Sequence, residues 1–179
     1  MTMSRELTGR PGEIVESMFL ECRKAFSFLE ASYGFHENRL EESRISPYTF
    51  DRLIEYSSSE FRIAILLDEQ DQRILLGVQS RVSPRLVSVW SLLEAEARAA
   101  GRVSSPRSHA QFPEFRVSLR READRLQQAL DPDGARLRGL CEMYFQSEAG
   151  KQRQDRERDG GFAEFMEQSW KRWKAANPA

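Results

Sequence analysis

Two runs of alternating residues constrain this chain more than any other feature: Phe61, Ile63, Ile65 and Leu67, then Ile74, Leu76 and Val78. A period of two places the apolar side chains on one face of an extended strand. The five polar residues between the runs, Asp68 to Gln72, make the pair an antiparallel hairpin. Upstream, Tyr48, Phe50, Ile54 and Tyr56 suggest a further strand, so the expectation is a three-stranded antiparallel meander. A hairpin or small sheet is marginal alone and must cover an apolar face. The nearest candidate lies just before it. Val15, Phe19, Cys22, Phe26, Leu29 and Tyr33 are spaced 4, 3, 4, 3 and 4, which aligns them on one face of a single helix. Pro11-Gly12 punctuates its start, Glu13 and Glu16 suit its first turn, and Gly34 stands where a C-terminal cap belongs.

The rest of the chain reads as helix. Pro84 precedes a stripe of Leu86, Val89, Trp90, Leu93 and Ala97 that ends at Gly101. Arg102 to Gln111 has no periodicity and reads as a loop. Phe115, Leu119, Ala123, Leu126 and Leu130 mark the next helix, stopped by Asp131-Pro132-Asp133-Gly134. Leu137, Leu140, Cys141, Tyr144 and Phe145 mark another. Charged residues Lys151 to Asp159 and the breaker Gly160-Gly161 then lead to a final stripe of Phe162, Phe165, Met166, Ser169, Trp170 and Trp173. The expected fold is α+β: an N-terminal helix on a three-stranded meander, followed by a helical C-terminal half. It reads as a single domain over 1–179, and any subdivision into a mixed part (1–101) and a helical part (111–179) falls at Arg102–Ala110.

Composition removes several function classes. The longest apolar run, Ile63 to Leu67, is far below the roughly 18 residues of a membrane span. Met1 to Gly12 is followed by Glu13, Glu16 and Glu21, which is no secretory leader. Two distant cysteines, each on a helical apolar stripe, make no disulfide framework and point to the cytoplasm. The charge is balanced overall at −1 but uneven: 7 basic and 11 acidic residues in 1–60, 7 and 5 in 61–110, 13 and 12 in 111–179. No segment has the basic excess of a phosphate-neutralising protein, so nucleic acid is not an expected partner.

Catalytic arrangements are equally sparse. The two histidines, His36 and His109, lie apart, and Cys22 and Cys141 sit on predicted buried faces where a thiol behaves as a small hydrophobe. There is no metal-ligand spacing and no phosphate loop, so no metal and no cofactor are expected. Glu41-Glu42 and Asp68/Asp71 read as solvated loop charge, since a perturbed carboxylate needs burial. The alternating charges of Lys151–Arg158 suit a solvated helix face. Trp170 and Trp173 suit either core packing or an anchor for a partner or a second copy in a homodimer.

Three stretches carry a resemblance: Phe28-Leu29-Glu30-Ala31-Ser32-Tyr33-Gly34-Phe35, then Leu53-Ile54-Glu55-Tyr56-Ser57-Ser58, then the strands Phe61–Asp68 and Arg73–Gln79. Together they span about residues 26–82, about a third of the chain. This pattern resembles small bacterial immunity proteins that protect a cell from its own polymorphic or contact-dependent toxins. The resemblance implies a non-catalytic cytoplasmic protein that binds a cognate toxin or effector and occludes its active site. The acidic N-terminal region, with Glu37, Glu41, Glu42 and Asp51, is then the expected contact for a basic cleft, and Trp170 and Trp173 are candidate anchors. A bacterial adaptor or effector chaperone would use the same scaffold, and an unrecognised enzyme would need a polar pocket assembled by the fold.

Overall fold

The computed structural model describes residues 13–38, 52–68, 73–81, 83–102, 114–131, 133–147, 171–172 and 174–175. The fold is α+β. Its elements run α1 (Glu13–Ala25), α2 (Phe28–Tyr33), β1 (His36–Asn38), β2 (Arg52–Ser57), β3 (Phe61–Asp68), β4 (Arg73–Ser80), β5 (Ser83–Ser88), α3 (Val89–Ala99), α4 (Phe115–Ala129) and α5 (Ala135–Gln146). The five strands form one antiparallel sheet in chain order, β1-β2-β3-β4-β5.

The expected three-stranded meander is therefore corrected to five strands. β3 and β4 are the hairpin foreseen, in the register Ile63↔Val78 and Ile65↔Leu76, and β2 answers to the Ile54–Tyr56 end of the expected Tyr48–Tyr56 strand, of which Tyr48 and Phe50 lie outside the described residues. β1 hides in the polar stretch after Tyr33 because three residues are too few to show a period. β5 falls where the sequence pattern predicts the start of a helix. Pro84 does not begin that helix; it sits in an edge strand, the sheet position where proline is tolerated. The helix begins at Val89, where the Ser88 hydroxyl accepts the Ser91 N–H at 3.1 Å.

The single N-terminal helix is also corrected, to two. At the junction the Ser27 hydroxyl donates to the Lys24 carbonyl at 3.0 Å, and the Leu29 N–H reaches back only three residues to Phe26, also at 3.0 Å. This tight turn interrupts the α-ladder while the apolar stripe continues through it. Gly34 does cap α2, at φ 69°, where the Gly34 and Phe35 N–H groups both donate to the Leu29 carbonyl. Phe35 is thereby turned inward and buried.

One face of the sheet builds the main core. Ile54, Tyr56, Ile63, Ile65, Leu67, Leu76 and Val78 meet Met18, Cys22, Phe26 and Leu29 from α1, α2 and their junction. The same core takes Val89 and Leu92 from α3, Phe115, Leu119, Ala123 and Leu126 from α4, and Leu137, Leu140, Cys141 and Tyr144 from α5. The stripes expected for α4 and α5 are thus the ones buried. At the corner between these helices, Asp131 Oδ2 accepts the Arg136 N–H at 3.1 Å, and Gly134 takes φ 67°.

The opposite face of β3 is buried as well, contrary to a one-faced sheet. Leu53, Ala64 and Leu66 form a second small apolar cluster with Leu86. Gly77 belongs to this face as the partner of Ala64. A Cβ on Gly77 would lie 2.2 Å from Leu86 Cγ, so only glycine admits the Leu86 side chain here. Gly77→Ala is expected to lower stability by about 1–3 kcal/mol through overpacking, read from the urea midpoint. Adding Leu86→Ala should return part of that loss, because the clash disappears.

Candidate functional site

Of the residues expected to contact a partner, Glu37 is the one that falls within the described residues; Glu41, Glu42, Asp51, Trp170 and Trp173 lie outside them. Glu37 sits in β1 with its side chain 16% exposed. Its carboxylate accepts two donors from Arg23, with Nε at 2.8 Å, while its own N–H donates to Glu30 Oε1 at 3.2 Å. Arg23 in turn stacks 4.4 Å above the Phe19 ring. Glu37 therefore ties the first strand to both N-terminal helices, and its charge is already matched.

His36 is exposed beside it on β1, and His109 lies outside the described residues. Cys22 and Cys141 are buried in the main core, as their stripes predicted. Burial, with a smaller contribution from Glu21 or Glu142, pushes each thiol up to about 12. Tyr56 is raised too, by burial first and then by Glu37. These groups hold their protons more tightly folded than unfolded, so their contribution to stability is fully present below about pH 8 and is lost as the pH rises further. Urea midpoints between pH 7 and 10.5 check this, with the decline reduced in a Cys22→Ala/Cys141→Ala protein.

Two polar assemblies stand out. The first lies on the second face of the sheet, where Arg62, 2% exposed, is central. Its terminal nitrogens donate to Glu55 Oε2 and, at 2.9 Å, to Gln79 Oε1. Glu55 Oε1 accepts Asn38 Nδ2 at 2.7 Å, and Asn38 exchanges hydrogen bonds with the Ser57 hydroxyl at 3.0 and 3.2 Å. The network links β1, β2, β3 and β4. Arg62 Nε has no hydrogen-bond partner among the described residues. Each charge here is committed to the other, so the geometry serves strand registration and leaves no carboxylate poised as a base. Sequence reasoning missed this network; the signal was Glu55, Arg62 and Gln79 at otherwise apolar strand positions.

The second assembly is on the surface. An open groove of about 530 Å³ runs between α1 and α4. Ala25, Leu119 and Ala123 make its apolar floor, and Glu21, Lys24, Arg116, Arg120 and Asp124 its charged rim. Glu21 and Arg116 bridge the two helices, with Oε1 to the terminal guanidinium nitrogen at 2.6 Å and Oε2 to Nε at 3.0 Å. Leu20, next to Glu21, is 63% exposed, and Val117, next to Arg116, is 52% exposed. The groove was not foreseen, because it needs the contact between two helices some hundred residues apart in sequence.

Other arginines fasten the C-terminal helices. Arg138 pairs with Glu60 at the β2–β3 turn at 2.6 Å, and Arg136 on α5 reaches Glu96 on α3 at 3.0 Å. Among the described residues no group of three or more His, Cys, Asp or Glu is placed to hold a metal ion, and no helix is long and apolar enough to cross a membrane. No protein-family model, curated protein or solved structure matches the chain.

Proposed function

We propose that this protein is a cytoplasmic binding protein that neutralises a cognate bacterial toxin by covering its active site. The observation that carries the reading is the face formed by α1 and α4. An apolar floor, a charged rim and two exposed aliphatic side chains on the same helix pair match the anatomy of a protein interface. The resemblance of residues 26–82 to immunity proteins supplies the class of partner. Those residues coincide with the α2–β4 unit, whose Gly34 cap and hairpin hold the scaffold under α1. Occlusion requires no catalytic group. It needs a standard interface of roughly 1,200–2,000 Å² with a few well-placed anchors.

Co-expression with the product of the adjacent gene tests this function. Growth arrest by the neighbour alone, relieved by this protein together with a stable one-to-one complex, is the expected result. A neighbour that is harmless, or that stays toxic when both are present, would refute it and favour an adaptor role.

A further inference from the structure

We propose that the α1/α4 groove docks an acidic, amphipathic segment of the partner protein. The toxin reading supplies the partner's identity, whereas the groove itself supplies the chemistry of what it binds. The Glu21–Arg116 pair is neutral and closed on itself. Lys24 and Arg120 on the rim make no ion pair among the described residues. Against these two cations the groove sets one carboxylate outside an ion pair, Asp124. Carboxylates arriving from a partner would find matched guanidinium and ammonium groups, which favours encounter and register.

The apolar half of the surface selects the rest of the ligand. Leu119 and Ala123 are buried at the floor, while Leu20 and Val117 are the two most exposed large hydrophobics among the described residues. Each is one position in sequence from a member of the ion pair, one on each helix, and neither lines the groove itself. A volume near 530 Å³ is within the roughly 300–1,000 Å³ of sites that enclose a compact ligand, enough for a few side chains. The occupant is therefore a peptide segment with apolar residues between acidic ones. A phosphate chain fits less well. The apolar floor gives a sugar–phosphate backbone nothing to bind. The groove also reverses the sign of contact charge that the acidic N-terminal region suggested.

Fluorescence anisotropy on the full chain tests the docking chemistry. The probes are a labelled peptide carrying Leu at helical spacing between Glu residues, its Lys-for-Glu counterpart, and single-stranded oligo-dT. The Glu peptide should bind saturably and weaken as salt rises from about 50 to about 300 mM. It should lose at least about tenfold in affinity on the Lys24→Glu/Arg120→Glu protein, whose exposed substitutions leave the circular dichroism unchanged. Equal or tighter binding of the Lys peptide, absence of saturable binding by the Glu peptide, or oligo-dT binding abolished by the same double substitution would overturn the proposal. Loss of toxin rescue with peptide binding intact would count against the toxin reading alone. Rescue that survives the double substitution would count against the groove alone.

Discussion

Replacing Arg62 with alanine should remove about 3–5 kcal/mol of stability, a large part of the roughly 5–15 kcal/mol typical of a domain. The reason is what the substitution leaves behind. Glu55 is 4% exposed, and its carboxylate would keep one neutral donor, Asn38, after losing the guanidinium that balances it. Gln79 Oε1 would lose its guanidinium donor in a fully buried position. A buried ion pair adds little net stability over an apolar pair of similar volume, but breaking it from one side is costly. The double substitution Glu55→Leu/Arg62→Met should therefore recover much of the loss. Urea denaturation followed by circular dichroism separates the cases. A cost below about 1 kcal/mol for Arg62→Ala would mean that the network is hydrated and not buried.

Phe26→Ala is expected to cost about 3–5 kcal/mol for a different reason. Phe26 is fully buried at the turn between α1 and α2, with its ring centroid 6.1 Å from that of Phe28, which meets Tyr33 edge-on at 6.0 Å. The turn is held by few backbone bonds, so aromatic packing sets how α2 enters the sheet. Truncation opens a cavity in the main core and loosens the path to the Gly34 cap. Phe26→Leu keeps most of the volume and should cost less than half as much in the same denaturation experiment. Equal losses for both substitutions would point to ring stacking, not cavity formation, as the source.

What was legible in the sequence follows from the range of the interactions involved. The β3–β4 hairpin, the Gly34 cap and the α4 and α5 stripes are local patterns, and they stand where periodicity puts them. β1 escapes because three residues carry no period, and β5 because Pro84 marks an exposed edge as readily as a helix start. The break at Ser27 is invisible to an apolar stripe that runs straight across it. Polar residues at strand positions signal a second buried face only once the register pairs Arg62 with Gln79 and Glu55 with Ala64. Glu37 was chosen for its charge, yet its pairing with Arg23 depends on a contact between a strand and a helix that spacing cannot foresee. The groove depends on an ion pair across 95 positions, so no local reading could place it.

Active-site occlusion is tested most directly by titrating this protein into the purified toxin and following the toxin's own activity. Activity should fall to zero at one equivalent, and excess toxin substrate should slow formation of the complex. A stable complex that retains full activity would contradict occlusion, whatever surface holds the two proteins together.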